Sequence, residues 1–285
     1  MRSGATRSAG ARGFLAGITG YLVPRLKLAY GRLAAKLMDL TFLRADASMQ
    51  LVRIGTEYGG WYCCRELLGP GRAALCCGAG EDVSFDVALN ARWNMQIICV
   101  DPTPRSIAHI ASLLEAVRDG RSMLIEAGPL SYDLVGFQAA EFTFIPHAVW
   151  SADGYLELFA PRNPLHVSYS ALNLQRTSDT IRVPASTVKS ILREVGVSRL
   201  ALLKLDIEGA EHEVLRSMLA ANVRPDQLLV EFDQINQPLS PLFWVDLWRI
   251  LGELRAVGYR LVCREHANYV FVLFSDQERA GQQRL

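Results

Sequence analysis

The chain has 285 residues, of which 50% are hydrophobic and 21% charged, with a formal net charge of +1. This composition excludes wholesale disorder and is compatible with one large packed domain. The near-neutral balance gives no global signal for a nucleic-acid partner.

The charge is unevenly placed. Through residue 53 there are nine basic residues (Arg2, Arg7, Arg12, Arg25, Lys27, Arg32, Lys36, Arg44 and Arg53) against Asp39 and Asp46, so a segment of +7 precedes a remainder of −6. Residues 1–47 read as a basic N-terminal extension, and residues 48–285 as the main domain. Residues 1–12, rich in Arg, Ser, Gly and Ala, read as disordered. Residues 13–24 are the most apolar stretch, but they are too short to span a bilayer and end in Pro24. No small-residue cleavage site follows the basic start. From Arg25 onward Leu26, Ala29, Tyr30, Leu33, Leu37 and Leu40 recur at helical spacing, with Arg32 and Lys36 on another side. Two readings stay open: a helix packed on the domain, or a basic amphipathic helix lying on an anionic membrane surface or a partner.

After residue 48 strands and helices alternate. Ala73–Cys77 predicts a short buried strand and Asp82–Arg92 a helix. Gln96–Val100 predicts a second strand, followed by a helix from Pro104, whose missing N–H suits a first turn, to about Val117. Glu141–Ile145 is a third strand. Asp153-Gly154 predicts a turn between Ala148–Trp150 and Tyr155–Phe159. Ile181–Val183 reads as a short strand and Thr187–Val195 as a helix, so residues 149–199 are expected to form an inserted hairpin and loop over the active site. Ala201–Leu205 and Gln227–Phe232 are further strands, with helices over Ala210–Leu219 and Pro241–Val257. Tyr259–Arg264 and Tyr269–Phe274 are two strands joined by a turn at Glu265-His266-Ala267-Asn268. The alternation implies a mostly parallel sheet with helices on both faces, and the tight final turn requires an antiparallel last strand. The expected fold is the α/β, Rossmann-like class I methyltransferase sheet of seven strands.

Six cysteines (Cys63, Cys64, Cys76, Cys77, Cys99 and Cys263) include no Cys-x-x-Cys pair, which argues against a zinc ribbon or a thioredoxin-type site. Several fall in predicted buried strands, where a reduced thiol acts as a small hydrophobe. A reducing, cytoplasmic compartment is expected.

The strongest chemical signal is Leu75-Cys76-Cys77-Gly78-Ala79-Gly80-Glu81-Asp82, a strand running into a Gly-x-Gly turn and then a helix. Asp101 follows 21 residues after Gly80, at the end of the next strand, where a carboxylate can accept from both ribose hydroxyls of an adenosine. A nicotinamide fingerprint wants a third glycine where this chain has Val83. Glu81 and Asp82 would repel a pyrophosphate. S-adenosyl-L-methionine carries no phosphate and is cationic, so it is the expected cofactor.

A second signal is Leu203-Lys204-Leu205-Asp206-Ile207-Glu208-Gly209-Ala210-Glu211-His212. Asp206 ends a central strand, where ligands bind in open α/β sheets. Candidate general bases, in order, are Glu208, Asp206, Glu231 and His212. Glu231 ends the fifth strand, and one of the acids is alternatively a helix cap. His147 ends the third strand facing an adenine position, with Trp150 either stacking there or lying in the core. Asp206, Glu208 and Glu231 offer oxygen ligands, but no spacing demands a metal and none is expected.

At these residues the chain resembles the FkbM-type methyltransferases. Lys204-Leu205-Asp206-Ile207-Glu208-Gly209-Ala210-Glu211 is similar to that family's signature block. Tyr58-Gly59-Gly60-Trp61, the run from Gly78 to Asp86, and Asp101-Pro102-Thr103-Pro104 are similar to a branch of it. The resemblance covers about residues 50–275 and omits the basic arm. It implies methyl transfer from S-adenosylmethionine, usually to a hydroxyl of a sugar or natural product, and carries over Gly78, Gly80, Glu81 and Asp101 as cofactor contacts, with Tyr58, Gly59, Gly60 and Trp61 beside them. Cys76-Cys77 depart from the pattern, since class I enzymes often carry an acid two residues before the first glycine. Glu57, Glu81 or Asp82 stand as substitutes for its contact to the methionine amine. The rival readings are a non-catalytic adenosine-binding scaffold on the same fold and, less favoured, a nicotinamide oxidoreductase. The expected partner is a small hydroxylated acceptor, with no nucleic acid. A nucleic-acid methyltransferase is disfavoured because no Asn/Asp-Pro-Pro-aromatic block for a flipped base is present.

Overall fold

A computed structural model describes residues 30–44, 49–125, 130–163, 168–235, 238–240 and 242–274. The expected disorder of residues 1–12, the apolar stretch 13–24, the helix start at 25–29 and Pro241 lie outside them. The chain divides into two compact units, Met1–Phe42 and Leu43–Leu285. In the first, residues 30–42 form a helix, α1. Leu43 and Arg44 belong to the second, where they pair with Leu261. No helix among the described residues is long and apolar enough to cross a membrane.

The second unit is built on a seven-stranded sheet. Its strands are β3 (Ala73–Cys77), β4 (Gln96–Val100), β5 (Phe142–Ile145), β9 (Leu202–Leu205), β10 (Gln227–Glu231), β11 (Tyr259–Glu265) and β12 (Asn268–Leu273), in the spatial order β11-β12-β10-β9-β3-β4-β5. β3, β4, β5, β9 and β10 pair in parallel, and β12 is antiparallel to both β10 and β11. The expected antiparallel final strand is therefore present, inserted between β10 and β11. Central strands such as Ala73–Cys77 and Leu202–Leu205 are buried at every position. A parallel strand covered on both faces must read as a continuous apolar run, as these do. Each fully buried Leu, Ile or Val contributes about 1.5–3 kcal/mol.

The connecting helices are α2 (Ser84–Trp93), α3 (Pro104–Arg118), α4 (Val188–Glu194), α5 (Glu211–Ala220) and α6 (Phe243–Ala256). Pro104 opens α3 at its first turn. Thr187 caps α4, its hydroxyl accepting from the Ser190 amide. Asn94 ends α2 in the left-handed conformation.

Two features depart from the expected pattern. A hairpin of β1 (Leu51–Ile54) and β2 (Trp61–Cys64) precedes the sheet. It is fastened to β10 by Gln227, fully buried, whose side-chain oxygen accepts from the Cys64 amide at 2.9 Å and whose nitrogen donates to the Cys64 carbonyl at 3.4 Å. The amide side chain thus satisfies a strand edge that has no backbone partner there. The insert contains a hairpin with a long loop, β7 (Gly154–Phe159) against β8 (Thr180–Ser186), and adds a strand that the sequence does not pair, β6 (Ala148–Val149). β6 and β7 do not pair with each other. β8 lies between them, parallel to β6 and antiparallel to β7. Asp153 still closes the turn, because its carboxylate accepts from the Thr187 amide and the Ser190 hydroxyl on the far side of β8.

Candidate active site

The carboxyl ends of β3, β4, β9 and β10 open into a cavity of about 340 Å³, a size suited to a small-molecule ligand. The Gly-x-Gly turn forms its floor. Gly78 has φ +84°, and a β-carbon there would lie 1.7 Å from the Asp206 carbonyl oxygen. Only glycine lets the ends of β3 and β9 close to this distance. Asp101, at the end of β4, holds the turn: Oδ2 accepts from the Ala79 and Gly80 amides at 2.9 and 3.0 Å. Its Oδ1 accepts from the amide and hydroxyl of Thr103 at 2.8 and 2.7 Å. Asp101 lines the cavity at 6% exposure, with both of its oxygens taken up by the loop and by Thr103.

The two loop acids are also engaged. Glu81 lines the cavity but forms a bidentate pair with Arg105, both contacts at 2.6 Å. Asp82 accepts from the Thr56 hydroxyl and from the Ser84 amide. Both carboxylates thus line the cavity while already held by protein groups. Glu57 does not line this cavity; it lines an adjoining groove that shares Tyr58, Glu231 and Asn268 with it. Tyr58 and Gly59 reach the cavity from the β1–β2 connection, whereas Gly60 lines only the groove. A β-carbon on Gly59 would strike the Asp82 carboxylate, and one on Gly60 the carbonyls of Thr56 and Ile54. The Gly-Gly pair thus lets the hairpin turn sit against the loop.

Beneath the floor, Lys204 of β9 is buried and donates to the Gly78 carbonyl at 2.9 Å and to Asp206 Oδ2 at 3.1 Å. Its ammonium lies 5.3 Å from the centre of the Trp61 ring, within cation–π range. Burial pulls its pKa down, but the charges of Asp206 and Asp86 more than offset this and hold it above its ordinary value. Asp86 of α2 is itself buried, which raises its pKa. Burial likewise pushes up the thiols of Cys76, Cys77 and Cys99.

The far wall is acidic. Asp206, Glu208, Glu231 and Asp233 all line the cavity. Burial, with a bond from Ser168 working against it and the Asp206 charge adding to it, pushes Glu208 up to about 7. Burial and the charges of Asp206 and Glu208 push Glu231 up to about 8. Burial, followed by the charge of Glu211, raises Asp233 further. Glu208 has φ +57°, a left-handed conformation unusual for a side chain of this kind. The Ser170 hydroxyl donates to its carbonyl and helps to hold the turn. Non-glycine outliers of this sort concentrate at functional sites.

A stability prediction follows. These carboxyl groups have ordinary values near 4.5 and folded values of about 7 and about 8. Between those limits the folded protein holds protons that the unfolded chain has released. Stability is present in full below 4.5 and is lost as pH rises through 7 to 8. The melting temperature of wild type relative to Glu231→Gln is expected to fall from pH 5 to pH 8; a flat difference would remove the proposed burial of this charge.

His147 lines the cavity and contacts the Ser186 hydroxyl at 2.9 Å. Trp150 does not line it. Trp150 packs on the cluster of Ala148, Leu158, Val183 and Ala185 in the small sheet, so the core alternative holds. His212 does not line the cavity either. It is buried, its Nδ1 lies 2.7 Å from Asp246 Oδ2, and its ring stacks on Phe243 at 5.5 Å. It sits between Phe243 of α6 and Phe232 just past the end of β10, outside the lining of the cavity, so the candidate base at this position is not among the residues facing a ligand there.

Sequence reasoning missed Lys204, Asp233, Asn268 and Ser168 as cavity residues. Asn268 arrives through the antiparallel register that sets it opposite Glu231. Also missed was Tyr132, whose hydroxyl accepts from the Val83 amide at 3.1 Å and meets His109 Nε2 at 2.6 Å behind the loop. Among the described residues no group of three His, Cys, Asp or Glu side chains has the geometry to hold a metal ion.

Comparison with known proteins gives one family. The model of the methyltransferase FkbM domain matches residues 75–261. No curated protein matches the chain significantly. Among solved structures, a putative S-adenosyl-L-methionine-dependent methyltransferase from Methanococcus maripaludis is similar at 10% identity, with 98% of this chain and 99% of that chain covered and a TM-score of 0.36. Monomeric WbdD is similar at 13% identity and a TM-score of 0.36, with 70% of this chain covered; the chain spans 36% of WbdD.

Proposed function

This chain belongs to the methyltransferase FkbM domain family, and from that premise we propose that it is an S-adenosylmethionine-dependent methyltransferase of the class I architecture, acting on a hydroxyl of a sugar or natural-product small molecule. One observation carries the reading. The Asp101-braced Gly78-Ala79-Gly80 loop and the carboxylates of Asp206, Glu208 and Glu231 share one cavity at the carboxyl edge of the sheet.

The residues fit the cofactor. Among the described residues Lys204 is the one Lys or Arg that lines the cavity, and its ammonium is already bound by Gly78 and Asp206. A dinucleotide pyrophosphate would meet carboxylates with no free cation, whereas a sulfonium and an ammonium are stabilised there. Asp101, Gly78, Ala79 and Gly80 would hold the nucleoside side, with His147 and Val149 beside the base. S-adenosylmethionine supplies an activated methyl group that needs only an aligned nucleophile.

The protein's part is alignment, desolvation and proton removal. Glu208, with its value near neutrality, takes the proton of the acceptor hydroxyl as the oxygen attacks. Asp206 and Glu231 orient that hydroxyl, and Tyr58 and Trp61 wall the site from the hairpin side. Glu208→Gln is expected to lower kcat about 100-fold with the fold retained, and Asp206→Asn to lower it less. If both variants keep full turnover, the base assignment is wrong.

The cofactor itself is tested by isothermal titration with S-adenosylhomocysteine and, separately, NADH. Micromolar binding of the former alone is expected. Asp101→Ala should weaken it at least about tenfold, because the Ala79 and Gly80 amides lose their acceptor and the turn its shape. A folded sample that binds no S-adenosylhomocysteine would leave the proposal without support. Tight binding with no methylated product from any hydroxylated acceptor would favour a non-catalytic scaffold.

A further inference from the structure

The helix α1 carries an apolar face that the structure leaves exposed. Tyr30, Leu33, Leu37 and Leu40 are 48%, 58%, 48% and 77% exposed. At about 100° per residue they fall within roughly 80° of arc, a single stripe along the helix. Met38 and Phe42 are buried and lie on a different side. Arg32 and Lys36 are exposed as well and flank the stripe on the edge away from the buried side. Four large apolar side chains in one exposed line are more than scattered surface hydrophobicity, and such a patch marks a contact surface.

We propose that α1 is a docking surface for an anionic lipid bilayer, lying in the interface with Tyr30, Leu33, Leu37 and Leu40 facing the acyl chains. Charge complementarity selects this occupant. The first 53 residues carry +7, while the rest of the chain carries −6. An anionic surface therefore attracts the segment that bears the stripe and repels the remainder. Arg32 and Lys36, at the edge of the stripe, can extend their charged ends to headgroups while their methylenes lie on the apolar boundary. A second copy of the chain seated on the stripe would bring two basic segments together, which like-charge repulsion opposes.

The test uses the full chain and sedimentation with vesicles of phosphatidylcholine alone or with about 30% phosphatidylserine. The partition coefficient is expected to be at least about tenfold higher on the anionic vesicles and to fall at least about tenfold in Leu33→Glu/Leu37→Glu. That variant should keep the wild-type melting temperature and S-adenosylhomocysteine binding, since both positions are solvent-exposed. Arg32→Glu/Lys36→Glu should lose the preference for phosphatidylserine. Equal sedimentation of wild type with and without vesicles overturns the proposal. So does vesicle binding that the Leu33→Glu/Leu37→Glu variant retains in full, because charge alone would then explain it. A concentration-dependent dimer abolished by the same variant, without vesicle binding, assigns the stripe to a second copy instead.

Discussion

Gly78→Ala is expected to destabilise the protein by about 4 kcal/mol, a large share of the roughly 5–15 kcal/mol that holds a typical domain folded. The new β-carbon would sit 1.7 Å from the Asp206 carbonyl oxygen, at a φ of +84°. Neither partner can yield cheaply. Asp206 donates its amide to the Cys77 carbonyl at 3.1 Å, and Gly78 donates its amide to the Val100 carbonyl while its own carbonyl accepts from Lys204. Relief requires β3 and β9 to separate at the centre of the sheet. Gly71→Ala is the internal control. Gly71 has φ +71° but nothing within 4 Å of the added carbon, so it carries the left-handed penalty alone, about 1–2 kcal/mol. Urea unfolding followed by circular dichroism separates the two. Equal losses at both positions would show that close approach is not what the glycine at 78 provides.

Lys204→Met is expected to cost about 3–5 kcal/mol, the range for breaking one side of a buried ion pair. The substitution keeps an unbranched side chain of similar length but leaves Asp206, the ion-pair partner at 3.1 Å, without its cation, and removes the positive charge that favours ionisation of Asp86, 2% exposed. It also removes the donor to the Gly78 carbonyl, so S-adenosylhomocysteine should bind more weakly. Asp86→Asn in the same chain is expected to return part of the stability, because an amide does not need the cation. A double-mutant cycle that gives additive losses for Lys204→Met and Asp86→Asn would show that the two side chains are not coupled.

Much of the sheet is legible in the sequence because burial on both faces writes continuous apolar runs, and Gly78, Asp101, Asp206 and Glu231 mark where four of them end. Position at a strand end also explains why these residues and His147 share one cavity. The rest depends on pairings that no local pattern encodes. Ala148–Val149 is too short for a period, and its parallel partner Ala185–Ser186 lies dozens of residues away, so the sequence discloses the hairpin of the insert but not the third strand beside it. Asn268 looks like an ordinary turn residue until register places it opposite Glu231. His212 and Trp150 sit beside legible motifs, yet side-chain direction turns the first toward α6 and the second into the small sheet. Glu81 and Asp82 are at the expected place, and what sequence did not disclose is that Arg105, Thr56 and Ser84 already hold them.

The register that sets Asn268 against Glu231 also orders events during synthesis. Gly78 and Asp101 lie on adjacent strands close in the chain, so the glycine-loop half of the cavity closes over a short loop. The acidic wall instead needs β9, β10 and a strand that arrives nearly two hundred residues after Gly78. Contacts of such long sequence separation form slowly, since the entropy of closing the intervening chain is lost before the contact is gained. On a ribosome the acidic side of the cavity therefore stays open until residue 268 has emerged, and the buried carboxyl groups acquire their raised proton affinity only in the last stage of folding.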